Sequence, residues 1–244
     1  MKYIIEFSKT GIICYTSHLD IMKVFKRAFK KAGINIAYSQ GFNPHPKMGF
    51  AQPLSLGYWG LQEYVEFETA EENMDSQAAD AHPADPEDLL AALSAIMPEG
   101  LELKRILEAP WLKKTLAAEN IAAEYMIEIP LGSEAVQTLD EGWETFMDQP
   151  QIQTLKKQKK KKEPVLIDIK PKIQTLDFQC LNETLYINAL LDAGSESNLS
   201  PELLITSLLD FLKLPTCRSD INVARKRLIF KEDTQSRLNP DVIL

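Results

Sequence analysis

Hydrophobic alternation from Lys2 to Phe7 predicts a first strand, and Gly11 turns the chain into Ile12-Ile13-Cys14-Tyr15, an apolar run that reads as a second. The period then changes. Met22, Phe25, Phe29 and Ala32 fall at helical spacing, with Lys23, Lys26, Arg27 and Lys30 on another face. Ser17 stands as the N-cap of this helix, with Asp20 completing an approximate capping box, and Gly33 supplies its C-terminal stop. Ile34 to Tyr38 reads as a short strand, followed by a Pro-rich loop from Gln40 to Lys47. Met48 to Gln52 and Gln62 to Thr69 are further strands. An acidic stretch over 70–86 is a solvated loop, and a helix runs from Asp85 or Pro86 to Ile96. Leu101 to Leu107 closes the first half as a strand.

After a connector over 108–120, with a short helix expected around Trp111, the order repeats. Ala122 to Ile129 is a strand, Ser133 to Met147 a helix, and Gln151 to Lys157 a strand. Thr175 to Gln179 pairs with Leu185 to Leu191. Ser200 and Pro201 start a helix that runs to Leu212, and Ile221 to Lys231 is the final strand. The pattern therefore predicts an α+β protein of two tandem ferredoxin-like, split-βαβ halves with antiparallel sheets. The halves are residues 1–109 and 120–244.

Charge changes this picture in one place. Residues 1–50 hold eight Lys/Arg against Glu6 and Asp20, a net +6, in a chain whose total is −8. The split argues that the front of the molecule faces an anion. The chain has no run of about 18 apolar residues, so no membrane span is expected. The Met1-Lys2-Tyr3 start carries no signal peptide, and Cys14, Cys180 and Cys217 are odd in number and far apart. Both features suit a cytoplasmic protein with ordinary thiols and no metal site of its own.

Four stretches carry candidate chemistry. Ser17 and His18 open a helix whose free N–H groups and macrodipole favour an anion; the alternative is that Ser17 and Asp20 only cap it while His18 packs nearby. In the loop, Gly41 permits a tight turn while Pro44 and Pro46 stiffen the backbone around Gln40, Asn43, His45 and Lys47. That suits a binding or catalytic loop; a structural turn is the competing account. Lys23, Lys26, Arg27 and Lys30, with Lys31, form a stripe suited to phosphates, or a plain solvated face. Tyr38, Phe42, Phe50, Tyr58 and Trp59 are available to stack on bases or to fill the core. The run from Lys156 to Lys162, six lysines in seven residues, grips RNA or an acidic partner surface, or merely solubilises. No P-loop, GxGxxG, HExxH or GxSxG motif occurs. Catalysis would therefore fall to His18, His45 and Tyr38; His82 lies in the acidic loop.

The segments Tyr15-Thr16-Ser17-His18-Leu19-Asp20, Met22 to Ala32, and Ala37 to Lys47 resemble the radical-SAM-linked protein family, a bacterial domain of unknown function. The likeness continues through Phe50-Ala51 and Pro53 to Gly57 into the Glu63-Tyr64 strand, about the first quarter of the chain. The resemblance implies a context: members are fused to, or encoded beside, radical SAM proteins with cobalamin-binding regions, often near genes for ribosomal proteins and a ribonuclease. It places the iron–sulfur cluster, S-adenosylmethionine and cobalamin on the partner, with no cofactor in this chain. The leading expectation is an accessory protein that binds RNA, or another phosphate-bearing substrate, for a radical SAM enzyme. Ser17 and His18 would form one wall of the site, Asn43, His45 and Lys47 the other, and the helix stripe would extend it. Alternatives are a metal-independent ribonuclease or RNA-modifying enzyme using His18 and His45, and a pure protein-interaction module.

Overall fold

The computed structural model describes residues 1–70, 85–132, 139–156 and 163–239. In chain order its elements are β1 (Lys2–Lys9), a 3-10 helix (Gly11–Tyr15), α1 (His18–Lys31), β2 (Met48–Phe50), β3 (Trp59–Glu68), α2 (Pro86–Ser94), β4 (Leu101–Glu108), α3 (Leu116–Glu119), β5 (Asn120–Pro130), α4 (Leu139–Asp148), β6 (Gln153–Lys156), β7 (Val165–Asp168), β8 (Ile173–Leu181), β9 (Thr184–Asp192), α5 (Pro201–Leu212), β10 (Asn222–Phe230) and α6 (Glu232–Leu238). The architecture is α+β, with a mostly antiparallel sheet. The described residues fall into two compact units, 1–120 together with 227–244, and 121–226. The described stretch from Arg227 to Asn239 thus belongs with the first unit, although the sequence reading assigned it to the C-terminal half.

In the first unit β1 lies between β3 and β4, and β2 pairs with β3. Period-2 alternation sends Tyr3, Ile5 and Phe7 of β1 to one face, where they meet Ile21, Phe25, Ala28 and Phe29 of α1 and Leu89 and Leu93 of α2. Burial of each large side chain contributes about 1.5–3 kcal/mol. Phe7 meets Phe25 edge-on at 5.2 Å, and Phe29 lies 4.6 Å from Phe67. This aromatic seam orients α1, so its opposite, polar face is turned outward.

The other sheet face carries a polar network beside the buried Ile4. Arg105 Nε donates to Glu6 Oε2 (2.7 Å), and Gln62 Nε2 donates to Glu6 Oε1 (3.1 Å). Asn239, at the C-terminal end of α6, donates to the Tyr64 hydroxyl (3.1 Å) and accepts from Arg105 Nη2 (3.1 Å). The Arg105 guanidinium also bonds the Leu238 carbonyl, so α6 is tied to the back of this sheet. Burial, and then the Glu6 charge, push the Tyr64 hydroxyl well above the ordinary tyrosine pKa.

In the second unit β5 lies between β9 and the first part of β10, with β8 on the far side of β9. Lys226 and Asn222 of β10 bond Glu124 and Glu128 of β5 (2.6 and 3.3 Å). Trp143 of α4 packs on Phe178 at 4.4 Å, and Phe146 meets Phe211 of α5 at 5.4 Å. β6 and β7 form a separate hairpin, of which the sequence reading anticipated only the first strand.

Several expectations are corrected. Ile12–Tyr15 is a 3-10 helix rather than a strand. The buried Lys9 Nζ donates to the Cys14 and Thr16 carbonyls (3.1 and 2.9 Å), so these groups are satisfied without a neighbouring strand. Ile34 to Tyr38 makes only isolated bridges, Ile36 to Thr69 and Tyr38 to Pro46. The short connector helix forms at Leu116–Glu119, not around Trp111. β10 is the last strand, as expected, but a helix absent from the sequence reading, α6, follows it. The acidic loop with His82, the start of the expected helix at Ser133, and most of the Lys156 to Lys162 run lie outside the described residues.

Candidate functional site

The start of α1 is closed by its own side chains. Ser17 Oγ accepts from the Asp20 N–H (3.2 Å) and donates to Asp20 Oδ2 (2.7 Å), while Lys23 Nζ donates to Asp20 Oδ1 (2.9 Å). The Lys23 bond, and then that of Ser17, hold the Asp20 carboxyl below its ordinary value. An external anion at this end would face that carboxylate. His18 turns inward instead, edge-on to Phe50 with ring centroids 5.0 Å apart. It lines a small cavity with Lys9, Gln52 and Glu63. Lys9 and Glu63 are each only 3% exposed. Gly60 makes room there, since a Cβ at that position would lie 2.6 Å from Glu63 Cγ.

The loop expected to be stiff is sewn shut at its neck. The Ser39 N–H donates to the His45 carbonyl (2.8 Å), and the His45 N–H returns a bond to Ser39 Oγ (2.9 Å). Below this, the Lys47 N–H donates to the Ala37 carbonyl (2.7 Å) and the Ala37 N–H to that of Glu68 (2.7 Å), anchoring the loop to the end of β3. Gly41 adopts φ +135°, a conformation L side chains resist. The neck thus holds out Gln40, Phe42, Asn43, Pro44 and His45, all exposed. Tyr38 is 58% exposed beside them. His45 stands on this loop whereas His18 lines the cavity under α1, so the two imidazoles occupy different settings.

Of the eight cations that produce the +6, four are engaged. Lys9 holds backbone carbonyls, Lys23 pairs with Asp20, and Lys47 pairs with Glu68 (2.6 Å). Lys2 lies 2.9 Å from Glu66 Oε2, a buried oxygen compensated by this charge pair rather than by a directed hydrogen bond. Lys26, Arg27, Lys30 and Lys31 stand exposed on the outer face of α1. The buried charges Lys9, Glu63, Glu66 and Glu6 were missed in the sequence. Their signal is an acid or base set inside an otherwise apolar strand.

Among the described residues, no group of three or more His, Cys, Asp or Glu is placed to hold a metal ion. None of their helices is long and apolar enough to cross a membrane.

The model of the family described as uncharacterized protein conserved in bacteria (DUF2344) matches residues 2–201, and the chain belongs to that family. No curated protein matches. Among solved structures, a chain from the crystal structure of a Cbf5–Nop10–Gar1 complex aligns at 12% identity and TM-score 0.49, covering 96% of this chain and 51% of that one. The chain thus spans about half the length of that match. An unknown protein from Galdieria sulphuraria aligns at 9% identity and TM-score 0.24, covering 94% of this chain and 98% of the other. Neither similarity is close enough to carry an argument about function.

Proposed function

We propose that this protein is a cytoplasmic accessory factor that binds RNA, or another phosphate-bearing substrate, and presents it to a radical SAM modifying enzyme. The reading is supported by two exposed features that follow one another in the chain: the cations Lys26, Arg27, Lys30 and Lys31 of α1, and the pinned loop with Gln40, Asn43 and His45. Such cations attract phosphates without reading sequence, and amide and imidazole groups supply hydrogen bonds to whatever lies between the phosphates. The partner would carry the iron–sulfur cluster, S-adenosylmethionine and cobalamin. We also read the two units as split-βαβ halves, supported by their strand neighbours: β4-β1-β3-β2 in the first and β10-β5-β9-β8 in the second.

A second reading, a protein-docking module, has its own support. Ile12 and Tyr15 are 90% and 73% exposed, and Leu19 and Leu56 are exposed as well. The Gly57 N–H bonds the Cys14 carbonyl (2.9 Å), which brings the segment after Leu56 against this 3-10 helix. Exposed apolar clusters of this kind mark contact surfaces. This surface would hold the radical SAM partner while α1 and the loop hold RNA.

The test is a gel shift with total cellular RNA at two salt concentrations, wild type beside His45→Ala/Lys47→Ala. Salt-sensitive binding that weakens in the variant supports the RNA reading. Absence of binding at low salt removes it and leaves the docking module.

A further inference from the structure

Phe42 has a position that folding does not explain. It is fully exposed, at the tip of the loop closed by the reciprocal Ser39–His45 bonds. An apolar side chain left in water forgoes the stabilisation of burial, yet the neck, the turn at Gly41 and the prolines that follow leave this one outward. The loop therefore loses little conformational freedom if the ring is covered by a ligand. Its neighbours narrow the ligand. Gln40 and Asn43 flank it, both exposed, with two donors and an acceptor on each amide. Tyr38, at the base of the loop, offers a second half-exposed ring. An aromatic anchor for a protein pocket is ordinarily set in an apolar surround. A ring between amides instead matches the chemistry of a nucleobase, which offers a π-face to the ring and polar edges to the amides.

Building on the RNA reading above, we infer that the Phe42 ring stacks on an unpaired base, so that the protein selects single-stranded or looped RNA over duplex. Gln40 and Asn43 face the edges of that base, and the α1 cations take the flanking phosphates. Stacking of this kind tolerates any base, so the selection is for unpaired structure rather than for a particular sequence.

The experiment is fluorescence anisotropy with a single-stranded oligoribonucleotide and with a duplex of the same length, using wild type, Phe42→Ala and Phe42→Trp. Because Phe42 packs on nothing, neither variant should disturb the fold, and circular dichroism checks this. Phe42→Ala should weaken single-strand binding by about tenfold and leave duplex binding within about twofold. Phe42→Trp should retain single-strand binding and show quenching of the new indole when RNA is added. Wild type that binds RNA while Phe42→Ala binds the single strand equally well overturns the inference alone and points to a protein pocket for this ring. Equal loss toward both RNA forms also overturns it. Wild type that binds neither form overturns the inference together with the RNA reading.

Discussion

The outer face of α1 and the back face of the first unit's sheet both carry charged side chains, and they use them in opposite ways. On the back face, Glu6, Arg105, Gln62, Tyr64 and Asn239 bond one another and fasten α6 to the sheet. That network is spent on structure. On α1, Lys26, Arg27 and Lys30 point outward from a helix whose hold on the core comes from Ile21, Phe25, Ala28 and Phe29. The contrast teaches that a charge count becomes a binding argument only after buried and paired charges are set aside. Here that step moves the candidate anion site away from the start of α1, where Asp20 already sits, toward its later turns and the loop.

Removing a member of the back-face network should have the largest effect. Glu6→Ala leaves Arg105 without its carboxylate in a half-buried site. Discounted for the guanidinium's partial exposure, this should cost about 2 kcal/mol in urea denaturation. RNA binding by the folded fraction should be unchanged; an equal loss of binding would merge the two regions and break the comparison.

Tyr64→Phe should cost less, about 1 kcal/mol, through its lost hydrogen bonds. Its pH signature is sharper. The folded pKa of Tyr64 is raised, so its contribution is intact below the unfolded value near 10 and is lost as pH climbs toward the higher folded value. Denaturation curves above pH 10 should fall more steeply for wild type than for Tyr64→Phe, and parallel curves would contradict the buried-hydroxyl assignment.

Ser17→Ala removes the cap of α1 and should cost about 1 kcal/mol or less. Asp20 has a depressed pKa, so its stabilising contribution is present above the ordinary aspartate value and is lost as pH falls through the lower folded one. In an NMR titration the Asp20 carboxyl should shift upward in Lys23→Gln, and by a smaller amount in Ser17→Ala. An unmoved titration would mean that the closed helix start is not the one described.

Much of this was legible in the sequence, for identifiable reasons. Helix α1 was, because four apolar residues at helical spacing and a Ser17 cap are local signals. The loop was, because Gly41 permits the turn and Pro44 and Pro46 restrict the backbone whatever surrounds them. The 3-10 helix at Gly11–Tyr15 was not, because the Cys14 carbonyl and that of Thr16 just after it accept from the side chain of Lys9, a tertiary contact absent from any periodicity. Nor was α6: Glu232–Leu238 is nearly all polar, and its attachment runs through Arg105, more than a hundred residues earlier. Phe42 read as core first and as a contact second, and its position at the tip of a closed loop separates the two.

The central claim is that the outer face of α1 takes phosphates. Its most direct test is the salt dependence of single-stranded RNA affinity for wild type and for Lys26→Gln/Arg27→Gln/Lys30→Gln. The account predicts binding that weakens with salt, and a log–log slope shallower by about 2 in the triple variant, since each lost phosphate contact to a single strand removes about 0.7. Stability should stay within about 0.5 kcal/mol of wild type for these exposed changes. Identical slopes for the two proteins, or no binding by wild type at low salt, would contradict it.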